Sequence, residues 1–195
     1  MSDVADHQAG AGGLFEEPAS SKPLNKITIS DITEDCGINR MTFYYHFKDI
    51  YDLVEWSCVE DATRALQDKK TGATWEEGFV QIFHAVRDNK PFILNVYRCV
   101  SRERVERYLD PLIAGLVRGV VEEQACGMTV REEDKAWIAR IYSYIFVGLM
   151  LDWIAADLKE EPEAIVEKLA LVIRGDIRLA LSRLRIDAGP SKSAK

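Results

Sequence analysis

No two cysteines in this chain are close enough to act as a motif. Cys36, Cys58, Cys99 and Cys126 are scattered and form no C-x-x-C pair. That excludes a compact disulfide scaffold or zinc knuckle and fits reduced thiols in a cytoplasmic protein. The three histidines, His7, His46 and His84, are equally dispersed, so no metal site and no cofactor is expected. Long apolar runs are missing too. The longest, near Ile141 to Leu151, is bounded by Arg140 and Asp152, which is too short to span a bilayer and predicts a buried helix. The first 25 residues carry acids and lack an apolar signal core, so neither a secretory signal nor a membrane partner is expected. A nucleophile–base pair, a carboxylate dyad and a glycine-rich phosphate loop are also lacking, so an enzyme is not expected.

Basic charge is scarce at the N-terminal end. Residues 1–60 hold Lys22, Lys26, Arg40 and Lys48 against eleven acids, which accounts for the whole net charge of −7. The remainder balances at 21 basic and 21 acidic groups. A field of this sign repels phosphate, so any contact with DNA must rest on local charge.

What the chain does have is helix. Its 195 residues, 47% hydrophobic and 29% charged, suffice for one core or a small unit fused to a larger one. Strand-like alternation with hairpin turns is absent after Ile27, which predicts an all-α fold. Residues 1–26 are rich in Gly, Ala, Ser and Pro and are expected to be disordered, or at most a poorly formed first helix. Thr28 and Asp31 make a T-x-x-D capping box, with Gly37 as the stop. Asn39 caps a short helix, and Asp49 with Asp52 opens a longer one to about Lys69. Thr74 with Glu77 caps the next, and a short helix runs from Pro91 to about Arg98. Ser101 begins another, containing Pro111, that extends to about Ala125. Thr129 with Glu132 opens a long helix, and Pro162 starts a last one running to about Ile186. The expected divisions are a helix-turn-helix unit over 27–49, a helical body over 50–186 and a flexible tail over 187–195.

The stretch "CGINRMTFYYHFKDIYDL" carries the chemistry. Two short helices around a glycine turn make a helix-turn-helix. Phe43 and Phe47 share one face with Ile38 and are expected to bury against Ile29 and Ile32. The other faces carry Arg40 with Tyr44, and Met41 with Tyr45 and Lys48. From Gly37 to Lys48 the chain is +2 with no acid. Asn39 and Arg40 stand at the helix start, where Arg suits guanine edges and Asn adenine edges. Tyr44, His46 and Lys48 can donate to phosphate oxygens, and Thr28, with free N–H groups, offers another phosphate cradle. Aromatics at helical spacing are more often core than interface, but two adjacent tyrosines cannot both point inward from one helix.

The run "KITISDITEDCGINRMTFYYHFKDIYDL" resembles the DNA-binding signature of the TetR family of transcriptional regulators. The likeness covers roughly residues 26–55 and rests on "TIS", "DI…CGI" and above all "TFYYHFKD". It implies a TetR-like fold that binds double-stranded DNA at a palindromic operator as a homodimer. By that resemblance Thr28 and Tyr44 match phosphate-contacting positions, and Asn39, Arg40, Met41 and Tyr45 match positions facing bases. His46 and Lys48 match positions at the backbone edge, and Thr42 completes the expected DNA-binding residues. One departure matters: the helix that braces this unit in the family corresponds here to "GGLFEEPASSKPL", with Pro18 inside it. An interior proline costs about 3 kcal/mol, and Leu14, Phe15 and Leu24 are the available substitutes.

In the body, "AWIARIYSYIFVGLMLDWIAADL" is apolar nearly all round, which places it at a centre or between its own domain and a partner. "PEAIVEKLALVIRGDIRLALSRL" is amphipathic and suits pairing across a two-fold axis. The stretch "YSYIFVGLMLDWI…EEPEAIVEKLALVI" is similar to the C-terminal domain of the dihydroxyacetone-kinase regulator branch. A small-molecule or protein effector is implied, with Phe83, His84, Tyr97, Arg98, Trp137 and Tyr144 as candidate contacts, although such aromatics are core by default. "SRERVERYLD" reads as a solvated helix face with i,i+4 pairing. The competing expectation is an effector- or protein-binding helical module that has lost autonomous DNA binding.

Overall fold

The computed structural model describes residues 22–65 and 75–187. Among them are nine α-helices, one 3-10 turn and no strand, as an all-α chain requires. The expectations for Leu14, Phe15 and Pro18, for the cap at Thr74, for a helix reaching Lys69 and for most of the tail lie outside the described residues.

The N-terminal unit consists of α1 (Ile29–Asp35) and α2 (Arg40–His46). Both halves of the capping box at Thr28 and Asp31 form. Gly37 takes φ +65°, a left-handed turn that costs glycine little. The Asn39 Oδ1 accepts from the Thr42 N–H at 2.8 Å and so caps α2. Ile32, Phe43 and Phe47 are buried, while Ile29 is partly buried against them.

Residues 22–26 differ from expectation. Leu24–Lys26 is a 3-10 turn, and Leu24 is buried. Its N–H donates to the Asn95 Oδ1 at 2.9 Å, and the Asn95 Nδ2 donates to the Lys22 carbonyl at 2.6 Å. Burying one leucine contributes roughly 2 kcal/mol, and Asn95 satisfies the backbone groups that the turn exposes. A brace of a kind is present, supplied by Leu24 and Ile27 packing into the core.

The body contains α3 (Ile50–Ala65), α4 (Trp75–Asp88), α5 (Lys90–Cys99), α6 (Arg102–Gln124), α7 (Glu132–Ala155), α8 (Pro162–Ile173) and α9 (Asp176–Leu184). α6 and α7 share the most extensive packing, α4 lies on α8, and α3 touches both α4 and α6. Phe79 stacks on Phe146 with centroids 3.6 Å apart, tying α4 to α7. Phe83 packs against Trp153 at 4.9 Å. The "SRERVERYLD" pairing forms, with Arg102 reaching Glu106 at 2.9 Å and Arg107 reaching Glu103 at 3.3 Å.

Two helix limits depart from the sequence reading. α7 is capped by Arg131 without a side-chain bond; Thr129 instead offers its carbonyl to the Ile186 N–H at 2.8 Å, so it anchors the segment just after α9. The expected single last helix is two helices. Arg174 turns extended and Gly175 takes φ +84°, a conformation only glycine adopts readily. α7 is also longer than the apolar run read from the sequence. By length and composition its 24 residues could cross a membrane, yet half of its most apolar window is buried within the protein.

Candidate nucleic-acid interface

The second helix divides cleanly into two sides. Phe43 and Phe47 face inward at 2% and 6% exposure, whereas Met41, Tyr44 and Tyr45 stand out at 78%, 54% and 83%. Arg40 and Lys48 are exposed, and Thr42 and His46 are half-buried. The exposed rings are held by contact with inward ones. Tyr44 meets Phe43 edge-on at 5.7 Å, His46 stands edge-on to Tyr45 at 5.0 Å, and His46 lies 6.2 Å from Phe47. Phe47 in turn lies 5.9 Å from Trp56 on α3. The aromatic ladder fixes the helix to the body, so its outer side chains are positioned by core packing rather than by loop geometry.

Hydrogen bonding refines the role of individual residues. Both the N–H and the hydroxyl of Thr28 donate to the Asp31 Oδ2, each at 2.7 Å. The Thr28 N–H, one of the donors at the helix start expected to cradle a phosphate, is therefore taken by the capping box. Those bonds, side-chain first and backbone second, hold the Asp31 carboxyl below its ordinary range. The Asn39 Oδ1 accepts from both the N–H and the hydroxyl of Thr42. Pairing with an adenine edge in two places needs that oxygen as well as the amide nitrogen. Asn39 and Thr42 thus act together as a cap, and Arg40, Met41 and Tyr45 are exposed beside them. The Arg40 guanidinium donates to the Ser30 hydroxyl of α1. Ser30 is a partner the sequence reading missed, although its place in "TIS" was the available signal. The Lys48 N–H donates to Asp52 at 2.9 Å, which fixes the lysine's backbone in the turn between α2 and α3.

The six candidate effector contacts do not converge. Phe83 is core, 2% exposed. His84 lies 2.7 Å from Glu163 and 2.8 Å from Arg87, in a polar bridge between α4 and α8. Tyr97 lines a narrow cavity with Met150, and Arg98 lies in a shallow surface hollow with Lys22. Trp137 and Tyr144 are exposed on α7, with the Arg140 guanidinium 4.4 Å above the Trp137 ring. Similar aromatic identities conceal quite different surroundings.

Comparison with known proteins decides the family. The TetR_C_8 family model, described as the transcriptional regulator C-terminal region, matches residues 73–175, just over half of the chain. The chain belongs to the TetR family. A curated relative, the HTH-type dhaKLM operon transcriptional activator DhaS of Lactococcus lactis subsp. lactis (strain IL1403), is 23% identical over 83 residues. That match spans 43% of this chain and 44% of the relative, so less than half of the relative's length is matched in sequence. Among solved structures, this TetR-family chain resembles the dihydroxyacetone kinase operon activator DhaS with a TM-score of 0.68 at 17% identity, covering 89% of this chain and 97% of that one. It also resembles the repressor AlkX from Dietzia sp. strain DQ12-45-1b, with a TM-score of 0.59 at 14% identity, covering 88% and 98%. A Streptomyces coelicolor TetR-family regulator gives 0.58 at 13%, covering 92% and 88%. At such identities the structural likeness speaks for the fold alone, and the DhaS branch is consistent with it.

Proposed function

We propose that the protein is a DNA-binding transcriptional regulator rather than an enzyme, with residues 27–49 as reading head and residues 50–186 as a body that dimerises and responds to an effector. One observation carries the reading: α2 buries Phe43 and Phe47 while leaving Met41, Tyr44 and Tyr45 exposed, on a stretch from Gly37 to Lys48 that contains no acid. Arg40, Met41 and Tyr45 then face bases in the major groove, while Tyr44, His46 and Lys48 contact the backbone. Asn39, Thr42 and Thr28 hold these helix starts in shape at the edge of the contact.

Dimerisation is supported by the outer side of α7, where Trp137, Ile141, Tyr144 and Ile145 are exposed. Such an apolar stripe suits an isologous contact with a second copy. Two heads related by a two-fold axis read a palindrome with half-sites about one helical turn apart. An effector that prefers one spacing of the heads by a factor of about 100 shifts operator occupancy by roughly 2.7 kcal/mol.

The test is a salt titration of binding to the DNA upstream of the protein's own gene. Each neutralised phosphate contributes about −0.9 to the log–log slope, so a dimer contacting two half-sites gives a slope steeper than about −3. Absence of sequence-preferring binding even at low salt defeats the reading and leaves a helical module that acts through another protein. The consumption of Thr28's donors by Asp31 is the feature that favours this second reading.

A further inference from the structure

Two cavities in the body are walled by core aromatic rings, and they differ in size. The one lined by Tyr97, Phe92 and Met150 holds about 60 Å³, room for roughly two waters. The other opens where α8 breaks into α9 and holds about 350 Å³, within the range of about 300–1,000 Å³ typical of small-molecule sites. Its inner wall is aromatic. Trp75 lies 6.0 Å from Phe79 and 5.8 Å from Phe146, and those two rings stack at 3.6 Å. Val117 and Val120, both buried, line the cavity with them.

Its mouth is cationic. Arg174 and Arg178 both line it, on either side of Gly175, whose left-handed φ of +84° redirects the chain there. The Arg178 guanidinium donates to the Gln124 carbonyl at 3.1 Å, which fixes its position. Arg174 is 75% exposed and lies 3.6 Å from the Glu76 carboxylate, beyond hydrogen-bonding distance. Among the described residues of the lining, Glu76 is the only acid against these two guanidiniums, in a chain whose net charge is −7.

We propose that this cavity binds an amphipathic organic acid, its apolar body against Trp75, Phe79 and Val120 and its carboxylate between Arg174 and Arg178. Guanidinium is weakly hydrated and matches a carboxylate in a two-pronged geometry. The loosely held Glu76 yields to a ligand anion at little cost. A neutral ligand of the same shape fills the wall but leaves the cationic mouth unanswered. The walls come from α4, α6, α7, the end of α8 and α9, so the ligand ties the first turn of α4 to α9. That this tie alters DNA binding rests on the regulator reading above; ligand binding itself does not.

The experiment uses the full chain and three probes, 4-phenylbutyrate, octanoate and 2-naphthoate, each beside its uncharged amide. Tryptophan fluorescence and titration calorimetry read binding without DNA. At least one acid binds, and its amide binds about tenfold more weakly or worse. Arg174→Gln, at an exposed side chain outside the packing, weakens the acid about tenfold and leaves the amide unchanged. Val120→Trp, which fills the cavity, abolishes both; circular dichroism checks that the variant is folded, and Val120→Phe replaces it if not. Failure of all three acids to bind overturns the proposal, as does equal binding of acid and amide unaffected by Arg174→Gln. An acid that binds but leaves operator affinity unchanged overturns only its regulatory role and leaves the DNA-binding reading standing.

Discussion

Two exposed aromatic surfaces, one on α2 and one on α7, are built to different plans. On α2 and the turn that follows it, Met41, Tyr44 and Tyr45 are interleaved with Arg40, His46 and Lys48. On α7, Trp137 and Tyr144 share their side with Ile141 and Ile145. A tyrosine beside cations can serve a wet, anionic partner through its hydroxyl and ring edge. A tryptophan beside isoleucines gains only when another apolar surface removes water from both. An exposed aromatic residue therefore has no function legible in itself. The groups between the rings decide whether the surface meets nucleic acid or protein.

The comparison can be broken first at its support. Phe43→Ala removes a ring that is 2% exposed and should cost roughly 3–5 kcal/mol, measured by urea denaturation. It should abolish operator binding while sparing self-association through α7. If self-association falls equally, the two surfaces are not independent.

A smaller effect separates the roles along α2. Arg40→Ala should relax sequence preference by about 1–3 kcal/mol at one base position, measured with operator variants at fixed salt. Lys48→Ala should weaken all sequences alike and flatten the salt slope by about one. Identical behaviour of the two variants would remove the distinction between reading and positioning.

The smallest effect is acid sensitivity of the cap. The folded Asp31 carboxyl is held below its ordinary value by Thr28. A depressed carboxyl contributes stability above its unfolded value of about 4, lost as pH falls through the folded value. Asp31→Asn should therefore be less stable than the parent near pH 7 by thermal denaturation, and the difference should shrink as acid protonates the folded Asp31 carboxyl. Parallel pH curves would show that the box contributes nothing to the head.

How much of this was legible in the sequence depends on how local its causes are. The caps at Thr28 and Asn39 and the turn at Gly37 involve neighbours three residues away, and they form as read. The inward pair Phe43 and Phe47 follows from helical spacing alone. The break at Gly175 escaped because the apolar phase continues through "VIRGDIRLAL", so periodicity masked the glycine. With it went the two arginines around the larger cavity. Leu24 packs inward as one of the substitutes named for the brace, but its hydrogen bond to Asn95 escaped because that partner lies 71 positions away. The effector candidates scattered because aromatic identity does not say which side of a helix is covered. Phe83 and Trp137 look alike as letters, yet one is 2% and the other 54% exposed. Thr28 shows a different fault, since one donor cannot both close a capping box and remain available to phosphate.

The most direct test of this division measures both properties on two variants, Tyr45→Ala and Ile141→Asp. Sedimentation velocity reads self-association, and fluorescence anisotropy reads operator affinity, with a half-site duplex included for monomer. Tyr45→Ala should lower affinity for both DNAs and leave the monomer–dimer constant unchanged. Ile141→Asp should weaken self-association about a hundredfold, or roughly 2.7 kcal/mol, and leave half-site affinity unchanged. Crossed effects, with Tyr45→Ala dissociating the protein or Ile141→Asp weakening half-site binding, would contradict the account.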